Sequence, residues 1–471
     1  MKLLALAFAL AAHAAPAAEL DMAKPPAPGA WAPFSVPTRA RFTLANGLRV
    51  VYAERVGSPL LTLRLAVRGG TALGQERDAG LVQAMEELLT EGTQAREALA
   101  LAEAADAAGG AVGAQAGPDH TVVSADGLSD KAEELFGLLK EVALEPSFPE
   151  AEVALRKENM LSELKVDHSE PAWLAGAALG RGLFGEHPYG VPGPSEASIA
   201  RIDRGALLRL HKKLFRPQSA VLVGVGPLSS AEFRAKAEAL FGSWPATGDL
   251  PAPPPAPVKP REAAGLFFVE RPDSAQSAVA LGVIAAKAED PDAPALEVAN
   301  MVFGGSFAAR LTTDLREDKG WTYGIYSRLD ERLAAGALRV KGQMRGEVTR
   351  PAVAAVLGHL ERLRKDPPTP AELEQAKALL VAGFAREFET QEGFAEAVLH
   401  DALLGLPDDR LDRYVERVRA VTGVAARDAA RKWLPASGVT VAVVGDPAAQ
   451  KALEGLLPLT VVGDDGLPLK K

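Results

Sequence analysis

The sequence contains no cysteine, no cluster of basic residues and no long apolar run beyond its first residues. Without cysteine the chain cannot form disulfides, thiolate zinc sites or a cysteine nucleophile, so core packing alone must stabilise it. The net charge of −9, with scattered lysines and arginines, argues against nucleic acid as a partner. No later segment approaches the roughly 20 apolar residues of a membrane-spanning helix. These absences favour a soluble globular protein.

The N-terminal stretch MKLLALAFALAAHAAPAAEL has the organisation of a secretory signal peptide. One lysine precedes a short apolar run, and small residues with A-x-A cleavage sites follow it. Because the run is about half as long as a membrane-spanning helix, the sequence predicts cleavage after Ala17 or Ala18 rather than a membrane anchor. We therefore expect residues 1–18 to be removed and the rest to be exported across the inner membrane, to the periplasm.

The chain is too long, at 471 residues, for one ordinary core. Residues 245–262 are rich in proline and alanine, which is typical of a semi-rigid linker. They separate residues 19–244 from residues 263–471, two parts of similar size. The sequence therefore predicts two domains joined by this linker.

Both parts begin with strand patterns and end with a valine-rich strand followed by a helix. Asn46-Gly47 in RFTLANGLRVVYAER predicts a hairpin. The alternation of large apolar residues with other residues in LLTLRLAVR predicts a strand with one strongly apolar face. The two endings, AVLVGVGPLSSAEFRAKAEALFG and VTVAVVGDPAAQKALEGL, follow the same pattern. Because long helical patterns lie between these strands, we predict an α+β fold. It would consist of two tandem related domains, each an antiparallel sheet with helices on one face.

Residues 83–87, within GLVQAMEELLTEGT, have the outline of the inverted zinc-protease motif H-x-x-E-H but lack both histidines. In that motif the histidines at i and i+4 share a helix face and bind the metal, while the glutamate takes a proton from bound water. Gln83 and Glu87 occupy the ligand positions here, and Glu86 occupies that of the base. An amide is a poor zinc ligand beside imidazole. The window alone therefore fits an amphipathic helix that buries Leu81, Met85, Leu88 and Leu89.

The surrounding residues resemble the active-site helix of the pitrilysin/insulinase family of zinc metallopeptidases. Gly80-Leu81 and Gly92-Thr93 flank the window as in that family. Glu163 lies 76 residues after Glu87, where the family carries its third zinc ligand, on a helix expected to start near Pro149. Further family motifs appear in order in both halves, as GEHPYGVPGPSEASIARI and FGGSFAARLTTDLREDKGWTYGIYS.

The resemblance implies a clam-shell arrangement in which the first domain carries a degenerate zinc site and the second a substrate-contact pair. Arg316 and Tyr323, seven residues apart, match the arginine and tyrosine with which the family binds peptides. The alternative is structural: Arg316 would pair with Asp314 or Glu317, and Tyr323 would pack in a strand. His187 stands in a family motif and is expected to be structural rather than a metal ligand.

Because the zinc ligands are degraded while the substrate-contact pair is kept, the sequence resembles the zinc-less chains of two-chain family members. The hypothesis is a non-catalytic subunit that completes a peptide chamber with a histidine-complete partner, which alone would hold zinc. No cofactor or metal is then expected in this chain. Two alternatives remain open. One is a self-sufficient peptidase in which Glu86, Glu87 and Glu163 hold Ca²⁺ or Mg²⁺, and the other is a non-enzymatic peptide-binding scaffold.

Overall fold

The computed structural model describes residues 35–246 and 257–469. The predicted signal peptide, residues 1–18, and the centre of the predicted linker, residues 247–256, lie outside the described residues. Residues from Val36 onward belong to one compact unit, and the other unit, Met1–Ser35, is described only at Ser35. No helix within the described ranges is both long and apolar enough to span a bilayer.

The N-terminal half (residues 36–246) is built on a six-stranded sheet with strand order β1-β2-β6-β3-β5-β4. The strands are β1 Arg39–Thr43, β2 Arg49–Glu54, β3 Leu60–Arg68, β4 Ala111–Ala116, β5 His120–Leu128 and β6 Ala220–Gly226. The helices of this half are α1 Leu81–Leu88, α2 Ala98–Ala107, α3 Ala132–Leu144, α4 Glu150–Asp167, α5 Pro171–Phe184, α6 Glu196–Ala200, α7 Arg204–Leu214 and α8 Ser230–Phe241.

The C-terminal half (residues 257–469) contains a second six-stranded sheet, with strand order β12-β7-β11-β8-β10-β9. Its strands are β7 Gly265–Glu270, β8 Gln276–Ala285, β9 Thr322–Asp330, β10 Gly336–Arg345, β11 Thr440–Gly445 and β12 Leu459–Val461. Its helices are α9 Ala293–Phe303, α10 Arg310–Thr312, α11 Thr349–Lys365, α12 Pro370–Glu387, α13 Gln391–Leu404, α14 Arg410–Ala420, α15 Gly423–Trp433 and α16 Pro447–Leu453.

The two sheets repeat one topology, which confirms the predicted fold class. The order β2-β6-β3-β5-β4 in the first sheet corresponds to β7-β11-β8-β10-β9 in the second. In each sheet the late valine-rich strand, β6 or β11, inserts between two early strands. One detail of the prediction needs correction, because the sheets are mixed rather than wholly antiparallel. The pairs β2–β6 and β7–β11 are parallel, and β12 adds a third parallel pair beside β7.

Local sequence signals explain the first strands. Gly47 adopts a left-handed backbone with φ of 90°, and the Asn46 side chain accepts a hydrogen bond from the Leu48 amide at 3.2 Å. This turn joins β1 and β2, which pair antiparallel as the Asn-Gly signal predicts. In β3 the alternating residues Leu61, Leu63, Leu65 and Val67 are all fully buried.

The opposite face of each sheet is also covered, by a helix from the other half. Thr62 and Arg64 of β3 are buried because α13 packs against β3 and β6. In return, α5 of the N-terminal half packs against β7, β8 and β11. Helices therefore lie on both faces of each sheet rather than on one. This exchange of helices, in which α5 and α13 each pack against the sheet of the other half, explains why α5 is apolar almost all round its circumference.

Close approach of α5 to the second sheet requires a glycine. A Cβ atom at Gly182 would lie 2.5 Å from the Phe267 ring and 2.7 Å from Cγ2 of Thr440. Leu174 and Leu179 of α5 share an apolar cluster with residues of the second sheet, including Val444. Apolar residues of the two halves thus pack together in a shared core.

Candidate functional site: a degenerate zinc site and a basic cavity

The window that resembles H-x-x-E-H lies on α1, as the sequence predicts. Gly80 precedes the helix with φ of 89°, and a Cβ there would approach Met160 and Pro194 to 2.8 Å. Met85 and Leu88 are buried. On the other side Glu87 is exposed, whereas Gln83 and Glu86 are only partly exposed. This face is therefore less solvated than that of an ordinary surface helix.

Glu87 and Glu163 come together, but a cation of the chain itself lies between them. Arg156, on α4, contacts Glu163 with two guanidinium nitrogens, at 2.7 and 3.0 Å. The same guanidinium lies 2.7 Å from Oε1 of Glu87. The Arg156 side chain is 11% exposed, so this ion pair is partly shielded from water. Both carboxylates at the family's ligand positions thus form ion pairs with the same guanidinium, that of Arg156.

Arg156 is not among the site residues predicted from the sequence, although a signal was present. Arg156 precedes Glu163 by seven residues on α4, which is two helical turns and places both on one face. The helix itself, Glu150–Asp167, starts next to Pro149 as expected. What the sequence could not show is that Glu87 of α1 lies at the same guanidinium.

Burial and like charge raise the pKa values of the glutamates on α1. Burial raises the pKa of Glu86 to about 7, and the neighbouring carboxylate of Glu87 adds to this shift. The backbone amide of Ala116 and the guanidinium of Arg156 act in the opposite direction. Partial burial of its side chain also raises the pKa of Glu87, with Arg156 opposing and Glu163 reinforcing the shift. Glu86 is therefore only partly ionised near neutral pH.

These residues do not fit a zinc ion. Catalytic zinc sites use three nitrogen, sulfur or carboxylate ligands and leave one position open. At this site Gln83 offers a neutral amide, and Arg156 pairs with both Glu87 and Glu163. Within residues 35–246 and 257–469, no group of three or more histidine, cysteine, aspartate or glutamate side chains could hold a metal ion.

Arg316 lies on a π-helical turn, Thr313–Asp318, which follows α10. Its guanidinium stacks 4.6 Å from the ring centre of Phe307 and lies 3.5 Å from the carboxylate of Glu317. Of the two pairings that the structural alternative predicts, the one with Glu317 is therefore present, whereas Asp314 contacts Lys319 at 2.7 Å and His359 at 3.0 Å instead. Arg316 is therefore held by weak, exposed contacts. Single-turn π-helices often occur at functional sites.

Tyr323 lies on β9, the edge strand of the second sheet, and its side chain is 91% exposed. It does not pack within the sheet, which argues against a purely structural role. Tyr326 and Phe307 are also exposed, at 47% and 59%. Neither Arg316 nor Tyr323 lines the cavity beside Gln83. Their role in substrate contact stays a prediction.

The cavity beside Gln83 has a volume of about 280 Å³ and walls from both halves. The C-terminal wall presents three basic side chains, Arg332, Arg339 and Lys341. These three residues are not among the site residues predicted from the sequence, although Arg339 and Lys341 are two residues apart on β10 and so share a face.

His187 has a structural role in the described residues. Its Nδ1 accepts a hydrogen bond from the Tyr189 amide at 3.1 Å and caps a short 3₁₀ turn. Tyr189 in turn donates to Asp119 at 2.6 Å. This geometry matches the expectation from the sequence.

Comparisons with known proteins identify the family. Residues 49–191 match a family model described as insulinase (peptidase family M16). Residues 201–380 match one described as the peptidase M16 inactive domain. An uncharacterized zinc protease of Mycobacterium leprae is 30% identical over 302 residues, which cover 64% of this chain and 68% of that protein. A non-peptidase homolog of Helicobacter pylori is 22% identical over 408 residues, 85% of this chain and 93% of that protein.

Solved structures agree with these matches. The crystal structure of a peptidase M16 inactive domain from Pseudomonas fluorescens has a TM-score of 0.82 and 26% identity, covering 87% of this chain and 98% of that chain. A protease from Helicobacter pylori has the same fold, with a TM-score of 0.77 and 17% identity. The chain therefore belongs to the insulinase family of peptidases, family M16.

Proposed function

We propose that this chain is a non-catalytic, zinc-less subunit of an exported metallopeptidase of its family. It would complete a peptide chamber with a histidine-complete partner chain, which supplies the metal. The position of Arg156 is the observation that carries the proposal. Arginine stays charged at all physiological pH values, so this cation is permanent. It forms ion pairs with both Glu87 and Glu163, in the place where a metal ion would have to lie.

The alternative of an autonomous peptidase with a carboxylate site is less well supported. Ca²⁺ and Mg²⁺ require several ionised oxygen ligands around one point. Arg156 is paired with Glu87 and Glu163, the two carboxylates that such a site would need. Burial raises the pKa of the third, Glu86, to about 7, so its ionised form is only partly available at neutral pH.

The names of similar proteins support a non-catalytic role. The family model for residues 201–380 and the Pseudomonas fluorescens structure are both described as inactive domains. The Helicobacter pylori relative is called a non-peptidase homolog, whereas the Mycobacterium leprae relative is called a zinc protease. We infer that this chain has the role of a non-peptidase homolog, because it lacks both histidines of the H-x-x-E-H motif.

Arg316 and Tyr323 are the groups that this subunit would offer to a peptide. An arginine fork can donate to a peptide carbonyl, and a tyrosine hydroxyl can donate to the oxygen where charge develops. The exposure of Tyr323 and the loose contacts of Arg316 leave both groups able to meet a ligand. The contacts would form when the partner holds the peptide at its own metal.

The test is to combine this chain with a histidine-complete relative from the same organism and to measure peptide cleavage. We expect the mixture to cleave peptides, while neither chain does so alone. As a control, the partner's motif glutamate is replaced by glutamine, which should abolish the activity of the mixture. Failure of the mixture to exceed the partner alone would overturn the subunit proposal. Peptide binding by this chain without any effect on a partner would instead favour the scaffold alternative.

A further inference from the structure

The cavity beside Gln83 differs in charge from the rest of the molecule. The chain carries a net charge of −9, yet the cavity is lined by three basic side chains and by no acidic one. Small residues of α5, Gly176, Ala177 and Gly180, form part of the opposite wall and leave space in front of the cations.

The three basic side chains of the cavity are not balanced by an equal number of carboxylates. Asp330 is the one described carboxylate paired with Arg332 and Arg339, at 3.5 and 2.8 Å, and it also pairs with Arg328 at 2.8 Å. The ammonium group of Lys341, on β10, forms no ion pair or side-chain hydrogen bond with the described residues. One carboxylate therefore serves three guanidinium groups, and the ammonium group of Lys341 adds to the excess.

The pKa shifts agree with this charge excess. The pKa of Arg339 is lowered to about 10, chiefly by burial; Asp330 opposes the shift, and repulsion from Arg332 and Arg328 contributes to it. Burial also lowers the pKa of Lys341, and repulsion from Arg339 and Arg328 adds to that effect. An anion in the cavity would relieve the repulsion among these groups.

The nearest aromatic groups hold the cations in position. The Arg332 guanidinium lies 4.8 Å from the ring centre of Tyr189 and 5.3 Å from that of Phe184. The Tyr189 hydroxyl is already engaged, since it donates to Asp119 and accepts from the Ala334 amide at 3.1 Å. Arg332 is therefore preorganised by stacking and keeps donors for a ligand.

We propose that this cavity binds a carboxylate of a peptide through Arg332, Arg339 and Lys341, so that the chain prefers acidic peptides. This inference rests on the proposed function, because it assumes that peptides enter the space between the halves. Guanidinium groups bind carboxylates in two parallel hydrogen bonds, and an ammonium group adds a third donor. The carboxylate could belong to an acidic side chain or to a peptide C-terminus, and both have the same chemistry.

The experiment measures peptide binding to the full chain by calorimetry, with three short peptides of matched sequence. The first contains glutamates and an amidated C-terminus, the second has glutamine in their place, and the third is the glutamine peptide with a free C-terminal carboxylate. We expect the glutamate peptide, the free-acid peptide or both to bind at least about tenfold more tightly than the amidated glutamine peptide. The preference should shrink at high salt.

Two variants assign the preference to the cavity. Lys341→Gln and Arg332→Gln should each weaken binding of the preferred peptide by about tenfold, the change expected for one lost charge-assisted hydrogen bond. Lys236→Gln removes the same charge from α8, outside the cavity, and should leave binding unchanged. Circular dichroism checks that each variant is folded.

Equal binding of all three peptides, or an unchanged preference in both cavity variants, would overturn the inference. Its failure can be distinguished from failure of the proposed function. If the mixture with the partner cleaves a neutral peptide but no acidic preference exists, only the cavity inference fails. If the acidic preference exists but the mixture is inactive, only the subunit proposal fails.

Discussion

Arg156 contacts both carboxylate oxygens of Glu163. While this ion pair is present, the same oxygens cannot bind a metal ion. The two distances, 2.7 and 3.0 Å, are those of a bidentate ion pair. Glu87 joins the same guanidinium from α1. Gln83 and Glu87 thus stand where the H-x-x-E-H motif has histidines, and the ion pairs of Arg156 join α1 to α4.

Restoring the histidines should not be enough to restore a zinc site. The variant Gln83→His/Glu87→His leaves Arg156 paired with Glu163, so a zinc ion would have to break that pair and approach a positive charge. Adding Arg156→Leu should raise zinc affinity at least about tenfold over the double variant. Zinc affinity is measured by competition with a chelating dye.

The matched control for the triple variant is the further change Glu163→Gln. It removes the third ligand and should return zinc affinity to that of the double variant. Equal zinc affinity in the double and triple variants would show that Arg156 does not compete with the metal.

The pKa of Glu86 predicts a pH-dependent stability. The pKa is 4.5 for an unperturbed glutamate and about 7 in the folded chain, chiefly because of burial. The folded state therefore favours the protonated form, and stability falls as the pH rises from 4.5 to 7. Glu86→Gln should raise the free energy of unfolding by about 1 to 2 kcal/mol above pH 7, with little effect near pH 4.5.

Urea denaturation at several pH values measures this difference. Glu158→Gln, at an exposed position of α4, serves as the control and should leave the pH dependence of the parent unchanged. A Glu86→Gln variant that is no more stable than the parent at pH 8 would contradict the assignment.

In a complex with a histidine-complete partner, Arg316→Ala and Tyr323→Phe should each lower turnover. Removal of one donor to the developing charge costs on the order of 10²-fold in rate. Zinc content and assembly, measured by mass spectrometry and gel filtration, should not change. Full turnover in both variants would mean that the subunit contributes walls to the chamber and no chemistry.

The exchanged helices predict that the two halves unfold together. Leu179→Ala creates a cavity between α5 and the second sheet and should lower the free energy of unfolding by about 2 to 5 kcal/mol. Leu155→Ala, on the exposed side of α4, is the control and should change stability by less than about 0.5 kcal/mol. Calorimetry should show one transition, and two separate transitions would contradict the coupling.

Much of the fold could be predicted from the sequence. The Asn46-Gly47 turn, the alternation in β3 and the matching ends of the two halves are local patterns, and the structure reproduces them. The exchange of α5 and α13 was missed, because periodicity shows that a helix has an apolar face but does not show which sheet covers it.

The candidate site was only partly predictable for the same reason. The positions of Gln83, Glu86 and Glu87 on α1 follow from spacing along one helix. The ion pairs of Arg156 with Glu87 and Glu163 join two helices, and the basic cavity joins two halves. Such contacts depend on tertiary packing, which a single sequence does not display.

Arg156 lies between Glu87 and Glu163, and we propose that the chain binds no metal there and is no peptidase by itself. The most direct test is the zinc content of the purified chain after incubation with zinc and removal of the unbound metal, together with its cleavage of a broad set of peptides. We expect no stoichiometric zinc and no cleavage. One equivalent of bound zinc, with peptide cleavage that a chelator abolishes, would contradict it.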